Sequence, residues 1–244
     1  MNLNDTIVVL GATGNIGREI TAQLVARKYR VVAVARNAER LKTLAARIDD
    51  PDHLSIVPGS VASEAQADQL TRAIRGEGHP VTAVISALRG PVESGRLLSR
   101  SATEFAQAFE SDVVAPFIAA KHFLPLLAEA GPGGLYLLLG GPMASCAWSG
   151  YGHLSVAASA LQMLTHVIRE EAKELPVTVQ ELQIGTPVRS EANADCSCPD
   201  WIGADQVARH VVTLVERRDS AIPIVQLGTY EEKRRARPAL RSAS

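Results

Sequence analysis

The fold is decided by TIVVLGATGNIG, residues 6–17, in which an apolar run leads directly into a turn with regularly spaced glycines. The run begins with β-branched and aliphatic residues, which predicts a buried strand. The stretch 18–28 that follows has the apolar periodicity of a helix. The glycines between them lie at positions 11, 14 and 17. The stretch therefore predicts a strand, a tight turn and a helix.

The turn indicates a phosphate-binding site. Glycine allows a tight backbone path and the close approach of a pyrophosphate, while the N–H groups and the positive end of the following helix attract an anion. The spacing is GxxGxxG, which differs from the GxGxxG dinucleotide pattern, so an ordinary glycine turn is the alternative. The predicted cofactor contacts in the turn are Gly11, Thr13, Gly14, Asn15, Ile16 and Gly17.

Length, composition and charge indicate a soluble globular protein. The 244 residues are 46% hydrophobic and 21% charged, and the net charge of −1 favours neither a nucleic acid nor a membrane surface as partner. We expect one dinucleotide-binding domain over 1–230 and a basic, disordered tail over 231–244. The three cysteines are too few and too poorly spaced for a disulfide framework or a zinc site, so we expect a reducing cytoplasm and no metal, with a redox or metal pair at Cys196-Ser-Cys198 as the alternative. Without a leader sequence or a bilayer-length apolar run, secretion and membrane insertion are not expected.

Apolar strands alternate with helices along the chain. Further strands are predicted at 30–35, 54–57, 81–86, 135–139, 177–184 and 221–226, and further helices at 38–48, 65–75, 103–130, 152–173 and 204–216. This alternation predicts an α/β fold, a doubly wound parallel sheet of about seven strands with helices on both faces. We expect Pro116 and Pro125 to kink or break the long helix. The polar loop 185–199 is typical of a substrate lid, with a simple surface excursion as the alternative.

The end of the second predicted strand indicates which nicotinamide cofactor the turn would bind. In a dinucleotide fold, an acidic residue about 20 positions beyond the glycines bonds the ribose 2′-hydroxyl of NAD, whereas an arginine accommodates the 2′-phosphate of NADP. Here the strand ends in Ala35-Arg36-Asn37, without a carboxylate. We therefore predict NADP(H) as cofactor, with Arg36 at the phosphate. The alternative is that Arg36 is a solvated charge at the end of a strand.

In the order of its elements the chain resembles the short-chain dehydrogenase/reductase family over roughly residues 5–230. The glycine turn resembles that of the family, and 34–41 resembles the end of the second strand in its NADP-using members. The segments 109–125 and 150–171 are similar to the helix after the fourth strand and to the segment that normally carries the active-site Tyr-x-x-x-Lys. The resemblance implies a Rossmann-type fold and a carbonyl or alcohol oxidoreductase. Further cofactor contacts are expected at Ser60, Val61, Ser86 and Ala87.

The catalytic residues of the family do not carry over to this chain. The family uses a Tyr as general acid or base, a Lys four residues later, a Ser that bonds the substrate and an Asn that anchors a water relay. These positions fall on Leu154, Ala158, Gly141 and Asp112. The family's Asn-Asn-Ala-Gly motif reads SALR over 86–89, and Ser60 replaces the acid after the third strand. Because Leu and Ala cannot exchange a proton, we expect ordinary carbonyl reduction to be lost.

Three interpretations account for this pattern, of which the third is ordinary reductase activity through a different register of the alignment. Helical spacing would place Tyr151 on the same face as Leu154, and we predict Tyr151 as a relocated general acid, assisted by His153, Asp112 or Ser145. In the alternative, Tyr151 only lines the pocket, and the protein is a non-catalytic NADP(H)-binding sensor.

The expected partners are a small molecule and further copies of the chain. Relatives of this kind pair through the two long helices on either side of the fifth strand. The corresponding surfaces here, 117–127 and 161–168, are apolar. We therefore expect a homodimer or a homotetramer. The sequence does not indicate which small molecule is bound.

Overall fold

A seven-stranded parallel sheet forms the centre of the structure. The structure is a computed structural model that describes residues 5–144, 146–218 and 222–228, without the side chain of Cys196. The strands are β1 (Thr6–Leu10), β2 (Arg30–Ala35), β3 (Leu54–Pro58), β4 (Val81–Ser86), β5 (Gly134–Gly140), β6 (Val177–Ile184), β7 (Val188–Arg189), β8 (Ile202–Gly203) and β9 (Ile224–Leu227). The sheet order is β3-β2-β1-β4-β5-β6-β9, and β7 pairs with β8 in a separate ladder. The described residues do not include the expected tail over 231–244, Ser145 or the start of the strand predicted at 221.

Helices connect these strands and cover both faces of the sheet. They are α1 (Asn15–Ala26), α2 (Ala38–Ile48), α3 (Glu64–Gly76), α4 (Ala102–Phe109), α5 (Ala115–Glu129), α6 (Gly152–Glu171) and α7 (Ala204–Arg217). Short 3₁₀ turns occur at Leu97–Ser99, Ala172–Glu174 and Glu191–Cys196.

The strands are apolar along their length because both faces of the sheet are buried. In β1, Ile7 and Val9 point into the core beneath α1, α2 and α7, whereas Val8 and Leu10 point into the core beneath α3, α5 and α6. All four side chains are 0–1% exposed. The predicted fold class, a doubly wound parallel α/β sheet of the Rossmann type, is confirmed.

The strand order creates a crevice at one edge of the sheet. The chain proceeds outward from β1 through β2 to β3, then returns to β4 on the other side of β1. The loops that leave the carboxyl ends of β1 and β4 therefore diverge, which is where open α/β sheets bind ligands. The glycine turn follows β1 at this point.

The segment predicted as one long helix is divided by a π-helical turn, Glu110–Val114, between α4 and α5. The Ala115 N–H bonds the Glu110 carbonyl five residues earlier. Pro116 then lies in the first turn of α5 and Pro125 inside that helix, so the change of helix type precedes the first proline.

By length and composition alone, the helical segment Ala102–Glu129 could also cross a membrane. The sequence analysis did not anticipate this. Half of the segment's most apolar 18-residue stretch is buried inside the fold.

The segment predicted as a loop over 185–199 contains regular structure. Val188 pairs with Ile202 in the β7–β8 ladder, and a 3₁₀ turn over Glu191–Cys196 lies between the two strands. Asn193 Nδ2 donates to the Val188 carbonyl at 2.9 Å. Pairing between residues so far apart depends on the tertiary fold, which the local composition of the segment does not reveal.

Candidate active site

The glycine turn between β1 and α1 is so tightly packed that two of its glycines have no room for a side chain. Gly11 has φ +80°, and a Cβ atom there would lie 2.5 Å from the Ala87 carbonyl oxygen. A Cβ atom on Gly17 would lie 2.2 Å from the Gly11 carbonyl oxygen. Because both close contacts are to backbone atoms, a side chain at either position would displace the turn.

The amino end of α1 is open to an anion. Gly14 is the N-cap residue and has no side chain with which to cap the helix, and its own N–H donates to the Gly11 carbonyl at 3.0 Å. The N–H groups of the first helical turn have no partner within the helix. Asn15 is exposed, and Thr13 and Ile16 are half-buried. This turn fits a pyrophosphate group, which would accept hydrogen bonds from those N–H groups.

Backbone hydrogen bonds bring the other predicted cofactor residues to the same edge of the sheet. Ala87 N–H donates to the Leu10 carbonyl at 3.0 Å, and Gly59 N–H donates to the Ala35 carbonyl at 3.0 Å. Ser60 follows Gly59, and its Oγ accepts from the Ala62 N–H at 3.1 Å. Val61 and Ser86 are buried, being 5% and 3% exposed.

Arg36 lies exposed at the end of β2. The next residue, Asn37, caps α2 by accepting a hydrogen bond from the Arg40 N–H at 2.9 Å. Among the described residues, the Arg36 guanidinium makes no hydrogen bond or ion pair. The group is therefore available to an anionic ligand beside the glycine turn.

Asp112 lies in the π-helical turn and is tied to the loop after β4. Its Oδ1 accepts a hydrogen bond from the Gly90 N–H at 2.6 Å. Burial raises the pKa of Asp112, while the Gly90 hydrogen bond and the positive charge of Arg89 act in the opposite direction. The turn places this carboxyl group where the sequence alignment put the family's Asn.

His153 lies at the start of α6, where it is 3% exposed. Its Nδ1 has no hydrogen-bond partner among the described residues. Burial lowers the pKa of His153, and the charge of Arg100 lowers it further, whereas Asp112 and Glu93 raise it. At neutral pH this ring is therefore held toward the neutral form, which can accept a proton.

Tyr151 lies next to this histidine but outside the helix. It is the N-cap residue of α6, with φ −136° and ψ 27°, and is half-buried. The helical spacing from Leu154 therefore does not hold for Tyr151, and the argument that put the two side chains on one helix face was wrong. Leu154 itself is inside α6 and 2% exposed. Tyr151 as acid stays a prediction, without that argument.

The structure adds Arg89 to the candidate site, a residue that the sequence analysis did not include there. A Cβ atom built on Gly141 would lie 2.9 Å from Nη1 of Arg89. The guanidinium of Arg89 therefore fills the space above the position that aligns with the family's catalytic serine. The replacement of the final glycine in the Asn-Asn-Ala-Gly motif by Arg89 was the available signal, because it adds a long cation at the cleft.

The segment over 185–203 is fastened beside the glycine turn. Glu191 accepts from both terminal nitrogens of Arg47, at 2.9 and 3.0 Å, and lies 3.6 Å from Arg18. The hydrogen bonds from Arg47 lower the pKa of Glu191. Arg18 immediately follows Gly17, so these ion pairs connect the segment to the first turn of α1.

Comparison with known proteins identifies the family. The family model described as short chain dehydrogenase matches residues 5–197, well over half of the chain. The chain belongs to this family. The short-chain dehydrogenase match spans the glycine turn, β4, the π-helical turn and α6, which are the elements that form the candidate site. The predicted family membership is thereby confirmed.

Solved structures of short-chain dehydrogenases have the same fold. A short-chain dehydrogenase from Bacillus anthracis is 15% identical, with a TM-score of 0.83 over 94% of this chain and 97% of that one. A short-chain type dehydrogenase/reductase from Mycobacterium ulcerans is 18% identical, with a TM-score of 0.82 over 91% and 87%. ElxO, solved with NADP bound, is 13% identical, with a TM-score of 0.82 over 91% and 96%. None of the curated protein sequences matches the chain.

Proposed function

We propose that this short-chain dehydrogenase binds NADP(H) at the edge of the sheet. The observation that carries the proposal is Arg36, an exposed guanidinium at the end of β2 in the position where NAD-binding sites have a carboxylate. The ElxO structure with NADP bound is of the same fold, which adds support. The first turn of α1 would hold the pyrophosphate, and Arg36 would hold the 2′-phosphate.

A bound nicotinamide supplies or accepts a hydride, but a carbonyl reductase also needs a group that moves a proton. At the aligned positions this chain has Leu154, Ala158 and Gly141, none of which can do so. Leu154 is moreover buried in α6. Any carbonyl or alcohol oxidoreductase activity therefore depends on relocated residues, of which Tyr151 is our candidate acid.

His153 and Asp112 would assist Tyr151. The His153 ring, held toward its neutral form, could accept a proton, and Asp112 acts electrostatically on that ring. A second candidate function is a non-catalytic NADP(H)-binding sensor. It is favoured by Arg89, whose guanidinium fills the space above Gly141, where the family has the catalytic hydroxyl group.

The cofactor proposal is tested by fluorescence titration of the wild type with NADPH and NADH. We expect NADPH to bind more tightly, and Arg36→Ala to weaken NADPH binding about 10- to 100-fold, because a charge-assisted hydrogen bond is lost. NADH binding should change little. Arg72→Ala, on the exposed side of α3, is the matched control and should behave as wild type. Equal affinity for the two cofactors would contradict the assignment of Arg36.

The catalytic proposal is tested with a panel of carbonyl substrates and NADPH. If Tyr151 is the acid, turnover should fall at least a hundredfold in Tyr151→Phe, which removes only the hydroxyl group. Turnover that persists in this variant would eliminate the relocated acid. NADPH binding without turnover of any carbonyl in the wild type would favour the sensor.

We also propose that the protein forms a homodimer or homotetramer through α5 and α6. The predicted surfaces 117–127 and 161–168 include core residues such as Ile118 and Leu161, which are 6% and 7% exposed. The outward faces of the same helices carry large apolar side chains with 42–63% of their surface exposed, a pattern typical of protein interfaces. On the two helices these are Phe117, Val156, Met163 and Val167.

The remaining expectations concern the ligand and the compartment. We propose a small-molecule ligand in the crevice, no nucleic-acid or membrane partner, and a cytoplasmic location in which Cys146 and Cys198 stay as the free thiols they are here.

A further inference from the structure

A positive charge, that of Arg89, lies beside the candidate site. Arg89 follows β4, and the loop that carries it is packed tightly against the π-helical turn. The Gly90 N–H bonds Asp112, and a Cβ atom on Gly90 would lie 2.8 Å from the Ser111 Cβ. The backbone next to Arg89 is therefore packed against two neighbouring residues of that turn.

The guanidinium of Arg89 is directed across the cleft to the end of β5. Its Nη1 lies 2.9 Å from the point where a Cβ atom of Gly141 would be. The absence of a side chain at Gly141 is thus what gives the guanidinium its space. The two residues act as a complementary pair in this chain, one long and charged and the other without a side chain.

The positive charge of Arg89 acts on Asp112, opposing the rise in its pKa, but the Asp112 carboxyl group is hydrogen-bonded to a backbone N–H. In the part of the chain that the structure describes, the Arg89 guanidinium itself makes no hydrogen bond or ion pair. Arg89 is also exposed, so a ligand can reach it. A guanidinium is planar, permanently charged and donor-only, which suits a carboxylate that accepts two parallel hydrogen bonds.

We propose that Arg89 is a specificity-determining residue that binds a carboxylate group of the ligand, above Gly141. This deepens the proposed function, on which it rests, by naming the class of ligand: a small organic acid. The family position that would carry a hydroxyl group for the substrate oxygen is occupied here by a cation.

The proposal is tested by titrating benzoate, with benzamide as a neutral molecule of the same shape, in saturation-transfer NMR. The protein is used both with and without bound NADPH, at fixed ionic strength. We expect benzoate to bind more tightly than benzamide. Arg89→Gln should weaken benzoate binding about 10- to 100-fold and leave benzamide binding unchanged, because only the charged pair is lost.

A second variant separates the position of the charge from its presence. In Gly141→Ala the added methyl group would displace the guanidinium, so benzoate binding should weaken although the net charge is unchanged. The controls are Arg72→Gln, which removes an exposed arginine on α3, and Gly76→Ala, where a Cβ atom would meet nothing within 4 Å. Both should bind benzoate as the wild type does.

The outcomes distinguish this proposal from the cofactor assignment. The proposal is overturned if benzoate binds no better than benzamide, or if Arg89→Gln and Arg72→Gln weaken benzoate binding equally. It is also overturned if NADPH binds and benzoate does not. If benzoate binding depends on Arg89 while NADPH fails to bind, the carboxylate site stands and the cofactor assignment fails.

Discussion

Glu181 is fully buried on β6, and its ionisation should make the folded state less stable as the pH rises. Its Oε2 is 3.1 Å from the Thr165 hydroxyl, which also lies 3.0 Å from the Leu161 carbonyl oxygen. The Thr165 hydroxyl group has one proton and can donate it to only one of these two oxygens. A protonated Glu181 would donate to the Thr165 oxygen and leave the Thr165 proton for the Leu161 carbonyl, so that both hydrogen bonds form. Burial raises the pKa of Glu181 to about 7, against a smaller opposite effect of the hydrogen bond from Thr165.

The sign and size of the effect follow from this pKa. In the unfolded chain the carboxyl group titrates near 4.5, so between pH 4.5 and 7 the folded protein binds more protons than the unfolded chain. The free energy of unfolding therefore decreases as the pH rises through this range, and the loss is complete above about pH 7. At 1.36 kcal/mol per pKa unit, the full loss is about 3 kcal/mol.

The assay is urea denaturation of the wild type and Glu181→Gln between pH 4.5 and 8. The amide can still bond Thr165 and cannot ionise, so the variant should gain about 3 kcal/mol relative to wild type as the pH rises. Glu129→Gln is the control. The hydrogen-bonded ion pair with Arg75 lowers the pKa of this exposed carboxyl group, so the pH dependence of its contribution to the free energy of unfolding has the opposite sign. A stability difference between wild type and Glu181→Gln that does not change with pH would refute the reasoning.

Three further variants test the packing of the fold, the turn and the interface. Gly17→Ala should weaken NADPH binding at least tenfold in a fluorescence titration, because its Cβ atom would lie 2.2 Å from the Gly11 carbonyl oxygen; Gly76→Ala should not. Phe123→Ala, at a fully buried position in α5, should lower the free energy of unfolding by about 3–5 kcal/mol in urea denaturation. Met163→Glu should give a monomer in light scattering with its stability within about 0.5 kcal/mol of wild type, and an unchanged oligomer would remove α6 from the interface.

Much of the fold could be predicted because its signals are local. The strands of a parallel sheet are buried on both faces, so each is a short apolar run, such as 30–35, bounded by turn residues. The glycine turn was also predictable, since a Cβ atom at Gly17 would meet backbone atoms within the turn itself.

The features that could not be predicted depend on residues distant in sequence. The β7–β8 ladder pairs Val188 with Ile202, and the direction of Arg89 depends on the space above Gly141, which the tertiary fold creates. Within the predicted interface segments, the sequence did not separate buried from exposed residues, because an apolar helix such as α6 has two apolar faces and only the packing shows which one is buried. Helical spacing was applied to Tyr151 although this residue precedes the helix, which begins at Gly152 as predicted.

The central claim is that NADP(H) binds beside a cleft in which the family's proton donor is missing. The most direct test is a crystal structure of the protein with NADPH. We expect the pyrophosphate at the first turn of α1, the 2′-phosphate on Arg36, and neither a lysine nor the hydroxyl group of a residue in α6 beside the nicotinamide ring. NADPH bound elsewhere, or a tyrosine–lysine pair within hydrogen-bond reach of the ring and its ribose, would contradict the claim.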